Sequence, residues 1–73
     1  MIVFVDTGAW IALLSRNDRH HERARGYYAD AAEAGVRLLT SSDVVDETAT
    51  RLRYDVGLGA ALAFRDMIQS AIA

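Results

Sequence analysis

The chain has 73 residues, 52% of them hydrophobic and 25% charged, with no cysteine and a formal net charge of −2. That composition belongs to a folded globular protein and excludes disorder, disulfide stapling and thiolate zinc sites. No apolar run approaches the roughly 18 residues of a membrane span. The opening Met1-Ile2-Val3-Phe4-Val5-Asp6 lacks the basic segment and cleavage site of a secretory signal, so a cytoplasmic protein is expected. The balance of charge does not announce a nucleic-acid binder. All eight basic residues are arginine, and each is able to grip a phosphate bidentately.

Ile2–Val5 is a continuous run of β-formers and predicts a strand buried on both faces. Asp6-Thr7-Gly8 ends it. Trp10, Ile11, Leu13 and Leu14 recur at helical spacing, which predicts a helix reaching Arg16 with Thr7 as its N-cap. Asn17 and Asp18 stop this helix and cap the next, expected from about Arg19 to Ala34. Its inner face is Ala24, Tyr28 and Ala31, and Gly35 stands where a left-handed residue is wanted. Val36–Thr40 reads as a second strand.

Ser41 or Ser42 then caps a third helix, in which Val45, Ala49, Leu52 and Val56 form one stripe. Gly57 and Gly59 separate it from a fourth, from about Ala60 to Ile72. There Leu62, Phe64, Met67, Ile68 and Ile72 cover more than one face and call for a neighbour on two sides. The order β-α-α-β-α-α predicts an α/β fold with a short parallel sheet and right-handed crossovers. Two parallel strands are few for a sheet that is usually wider and covered on both faces. The chain ends on apolar Ala71-Ile72-Ala73. Further chain or a partner is therefore expected.

In open parallel sheets, ligands bind beyond the carboxyl ends of the strands. Asp6 stands there on the first strand. The second strand opens on the same edge at Thr40-Ser41-Ser42, and the third helix carries Asp43, Asp46 and Glu47 in its first two turns. Asp43 and Glu47 are i, i+4 neighbours. One of these acids beside Asp6 would make a paired-carboxylate site. Two carboxylates about 5 Å apart repel by roughly 3 kcal/mol at an effective dielectric near 20, a cost that a divalent cation offsets. Mg²⁺ and Mn²⁺ suit such hard oxygen donors.

Each of these residues also has an ordinary use. Asp6 is placed to cap the following helix, Asp43 is favoured by the helix dipole, and Glu47 with Arg51 has the spacing of an ion pair. Asp6-Thr7-Gly8-Ala9 matches the aspartic-protease signature, but those chains are all-β and this one is rich in helix. A haloacid-dehalogenase phosphatase would want an acid at position 8, which is Gly8. Asp6-Thr7-Gly8 has neither the glycine spacing nor the lysine of a phosphate-binding loop.

Three joints together resemble one family. Ile2-Val3-Phe4-Val5-Asp6-Thr7-Gly8-Ala9-Trp10 looks like the opening of PIN-domain ribonucleases, the fold of VapC-type toxins. Asp18-Arg19-His20-His21-Glu22-Arg23-Ala24 resembles the Asp-x-x-His-x-x-Ala segment that starts their second helix. Leu38-Leu39-Thr40-Ser41-Ser42-Asp43-Val44-Val45-Asp46-Glu47-Thr48 resembles the strand and helix that deliver their second acid.

The resemblance implies a three-layer α/β/α fold when complete, with residues 1–73 holding its first half as a single, truncated domain. It implies a Mg²⁺- or Mn²⁺-dependent endoribonuclease, the toxin of a type II toxin–antitoxin pair, with an RNA substrate, a cognate antitoxin and a homodimer. Asp6 matches the first catalytic and metal-binding acid and Glu47 the second. Thr7 matches a hydroxyl that supports the first. Asp43 and Asp46 match no family acid.

Family members are usually about twice this length, in line with ordinary domain sizes. Their later acids come from a further strand–helix unit, and Asp66, mid-helix, does not replace them. The rival readings are an inactive fragment and an interaction module that docks a partner through the fourth helix. His20 and His21 are expected to fix a helix junction, and Trp10, Tyr27 and Tyr28 to serve packing or base stacking. Arg51 and Arg53 are expected to line a phosphate path or to pair with acids.

Overall fold

The computed structural model describes residues 1–72. Strand β1 (Ile2–Phe4) leads into helices α1 (Thr7–Leu14) and α2 (His21–Glu33). Strand β2 (Arg37–Leu39) follows, then α3 (Ser42–Asp55) and α4 (Leu58–Ile72). The βααβαα order is the one the sequence predicts, and the fold is mixed α/β. Neither helix pair is joined by a long loop. None of the described helices is long and apolar enough to cross a membrane. The apolar roles expected of Ile72 and of the Ala71–Ala73 end lie outside the residues whose side chains are described.

β1 and β2 pair in parallel, with Ile2 opposite Arg37, Val3 opposite Leu38 and Phe4 opposite Leu39. The pairing extends past the strand ends, where Val5 N–H donates to Leu39 C=O at 2.7 Å. Successive side chains point to opposite faces. Val3, Val5 and Leu38 are half-buried on one face, whereas Ile2, Phe4 and Leu39 on the other are 63%, 55% and 55% exposed. The expectation that Ile2–Val5 is covered on both faces is therefore corrected. Among the described residues the helices serve one face of the sheet and leave the other open.

The core lies where α1, α3 and α4 meet. Trp10, Ile11, Ala49, Leu52, Ala61 and Phe64 form it, with Val5, Val45, Met67 and Ile68 packed around the margin. Phe64 and Leu52 are 0% exposed. The Trp10 and Phe64 rings meet edge to face with centroids 5.5 Å apart, an arrangement worth roughly 0.5–1.5 kcal/mol beyond area burial. The α3 stripe is realised at Ala49 and Leu52 but not at Val56, which is exposed. α4 likewise turns Phe64 and Ala61 inward and leaves Leu62 exposed.

Local signals set the boundaries. α2 ends in a Schellman motif: Gly35 takes φ +72°, Gly35 N–H donates to Ala32 C=O, and Val36 N–H donates to Ala31 C=O. Of its expected inner face, Ala31 is buried and Ala24 half-buried, but Tyr28 is exposed. Ser41, of the two candidates, caps α3 by accepting from Val44 N–H at 3.2 Å.

The α1–α2 junction is tied by Asp18, whose carboxylate accepts from His20 N–H at 2.8 Å. His21 Nδ1 donates to Ala12 C=O at 2.9 Å, and Arg19 Nε donates to His20 Nε2 at 3.1 Å. Both histidines thus act on the junction, as the sequence suggests.

Two variants probe this packing. Phe64→Ala empties the centre of the core and is expected to cost about 3–5 kcal/mol. That is a large part of the stability of so small a domain, on the order of 5–10 kcal/mol. Urea unfolding followed by circular dichroism reads the loss. Thr48 is fully buried and its Oγ1 has no hydrogen-bond partner. Thr48→Val keeps the shape and removes the orphan hydroxyl, so the unfolding free energy is expected to rise by about 1 kcal/mol, read as a higher urea midpoint.

Candidate active site

Parallel pairing sends the chain out of both strands at the same edge, where Asp6 follows β1 and α3 begins after β2. Asp6 directly follows β1. Its backbone is extended, and its Oδ1 accepts from Ala9 N–H at 3.0 Å, which makes Asp6 the N-cap of α1. This corrects the expectation for Thr7, which instead is the first residue of the helix and is buried. Among the described residues the hydrogen bond to the Asp6 carboxylate comes from Ala9 and not from the Thr7 hydroxyl. The cap engages one carboxylate oxygen. Asp6 is exposed.

Thr40 closes the same edge from the β2 side. Its Oγ1 donates to Val5 C=O at 3.2 Å and accepts from Trp10 Nε1–H at 3.3 Å. One hydroxyl thereby ties the residue before Asp6 to the residue before the α3 cap and to the first turn and a half of α1. The sequence marks Thr40 only as a strand end. Its role becomes readable once the register is known, because a hydroxyl just past β2 then lies beside the end of β1.

α3 leaves this edge with three acids near its start. Asp43, Asp46 and Glu47 are all exposed, so burial does not choose among them. Asp46 C=O accepts from Thr50 Oγ1 at 2.9 Å. Glu47 is followed by Thr48 and Ala49, both buried, so the backbone that carries it is anchored in the core. The ion pair expected between Glu47 and Arg51 is not formed. Among the described residues the ion pair present is Arg25–Glu22 at 3.5 Å, between exposed side chains on α2. Arg51 and Arg53 are exposed. His20 and His21 belong to the far end of α1, about 12 Å along an eight-residue helix from Asp6.

Among the described residues no three His, Asp or Glu side chains come together as a metal-holding group. What the edge offers is Asp6 at the end of β1 and three exposed acids, Asp43, Asp46 and Glu47, in the first two turns of α3. Carboxylate oxygens suit Mg²⁺ and Mn²⁺. Mg²⁺ usually keeps several waters and takes one or two protein carboxylates together with substrate phosphate, so a two-acid set fits its chemistry.

A family model described as PIN domain matches residues 3–73. No curated protein and no solved structure matched the chain. The match begins within β1 and spans the segments that carry Asp6, Thr40 and Glu47. The chain belongs to the PIN domain family, which implies nuclease activity in general.

Proposed function

We propose that this chain is a metal-dependent endoribonuclease in which Asp6 and Glu47 hold a Mg²⁺ or Mn²⁺ ion against an RNA phosphodiester. The observation that carries the reading is the position of Asp6. It stands at the carboxyl end of β1, on the edge from which α3 brings Glu47, inside the segment that the family model matches. When bound, the ion would activate a water and offset charge on the phosphate. The protein's own contribution is placement. Ala9 N–H holds the Asp6 carboxylate in one orientation, the Thr40 hydroxyl holds the two strand ends together, and buried Thr48 and Ala49 fix the turn that presents Glu47.

The finer reading is a VapC-type toxin of a type II toxin–antitoxin pair, acting in the cytoplasm as a homodimer. The resemblance of the Asp18–Ala24 segment and of the opening strand supports it. An antitoxin would cover the acidic edge with cationic side chains, for which Asp6, Asp43, Asp46 and Glu47 offer four exposed carboxylates.

Cleavage of single-stranded RNA with Mg²⁺ or Mn²⁺, beside an EDTA control, tests the function. Asp6→Asn is the informative variant, because asparagine caps a helix as well as aspartate and leaves the fold intact. Asp6→Asn and Glu47→Gln are each expected to lower cleavage by at least about 100-fold, more than the outer partners of a metal site are worth. Asp43→Asn and Asp46→Asn are expected to cleave like the unaltered chain. Cleavage that resists EDTA, or that survives Asp6→Asn, would overturn the reading.

A further inference from the structure

We infer that the groove beside Asp6 is a nucleobase site, in which an unpaired base of the RNA strand stacks on Tyr27 while Arg23 meets its phosphate; this rests on the ribonuclease reading above. The groove has a volume of about 350 Å³ and runs between β1, α1 and α2, within the size range of small-ligand sites. It starts at the candidate site itself. Val5 precedes Asp6, Ala9 donates the hydrogen bond that holds the Asp6 carboxylate, and both line the groove. A nucleotide next to a phosphate bound at Asp6 therefore has this groove as an adjacent apolar surface.

Its lining is largely apolar, and the side chains in it that carry polar groups at their ends are Tyr27, Tyr28, His20 and Arg23. Tyr27 and Tyr28 line it, with Trp10 behind them. Tyr27 is 57% exposed, far more than packing on the core requires. The charge is also local and of one sign. The chain has ten acidic residues and a net charge of −2, yet no carboxylate lines the groove, whereas Arg23 and His20 do. Among the described residues Arg23 forms no ion pair, while its neighbour Arg25 is engaged by Glu22. Aromatic faces beside a cation recognise single strands with little regard to sequence, because every base has a π-face and every nucleotide a phosphate. Paired bases have no face to offer, so the groove selects for unpaired RNA.

Binding is measured in EDTA, where the strand is not cut. A labelled single-stranded oligoribonucleotide and a duplex of the same sequence are titrated by fluorescence anisotropy against the 73-residue chain. Tyr27→Ala is expected to weaken single-strand binding by about 5- to 100-fold, and Tyr27→Phe to restore it. Arg23→Ala is expected to reduce the salt dependence of binding. Circular dichroism verifies the fold of each variant. Equal affinity for the duplex, or single-strand affinity unchanged in Tyr27→Ala, would overturn the inference, and so would self-association that Tyr27→Ala abolishes while RNA affinity stays constant. Metal-dependent cleavage that persists beside an indifferent Tyr27→Ala would reject the groove alone. Base binding that needs Tyr27, in a chain that cuts no RNA with any metal, would reject the function alone.

Discussion

The parallel register of β1 and β2 obliges both strands to release the chain at one edge, and the positions of the acids follow from that. With Phe4 opposite Leu39 and Val5 N–H bonded to Leu39 C=O, Asp6 and Thr40 leave the sheet side by side. The Thr40 hydroxyl then bridges Val5 C=O and the Trp10 indole, so the edge is tied to the same tryptophan that meets Phe64 in the core. A strand register, one hydroxyl and one aromatic contact connect the packing of α4 to the placement of Asp6.

Asp6 shows how a structural and a chemical role combine in one side chain. A cap at a strand–helix joint needs a short acceptor, and aspartate supplies one oxygen to Ala9 N–H. The carboxylate that results is held in a single orientation near the positive end of a helix, a placement that favours negative charge. The open face of the sheet is the other side of the same economy. Ile2, Phe4 and Leu39 are exposed because two strands and one layer of helices have no surface to set against them.

Most of the architecture was legible because it rests on local signals. Gly35 after α2 is a position where backbone conformation demands that residue type and is legible in the sequence, whereas the cap of α3 is legible only as Ser41 or Ser42 and the structure selects Ser41. The apolar stripe of α3 was found at Ala49 and Leu52. The stripe does not extend to Val56, where the helix ends beside Gly57 and the side chain is 48% exposed. Asp6 and Thr7 are both good capping residues in the sequence, and the extended backbone of Asp6 with the Ala9 N–H bond to its carboxylate decides between them. The Glu47–Arg51 pair has the right spacing, yet two long exposed side chains gain little from holding one geometry. Sequence placed the acids on one edge and could not tell which of Asp43, Asp46 and Glu47 works with Asp6. Their exposure is alike, and family resemblance alone singles out Glu47.

The pairing of Asp6 with Glu47 is the central claim, and paramagnetic broadening by Mn²⁺ tests it directly without reliance on turnover. In a two-dimensional amide spectrum, sub-stoichiometric Mn²⁺ is expected to erase the signals around Asp6 and Ala9 together with those around Glu47. The signals of Asp30 and Glu33 on α2 should stay sharp. Broadening centred on Asp43 and Asp46 without Asp6, or spread evenly over the exposed acids, would contradict the account.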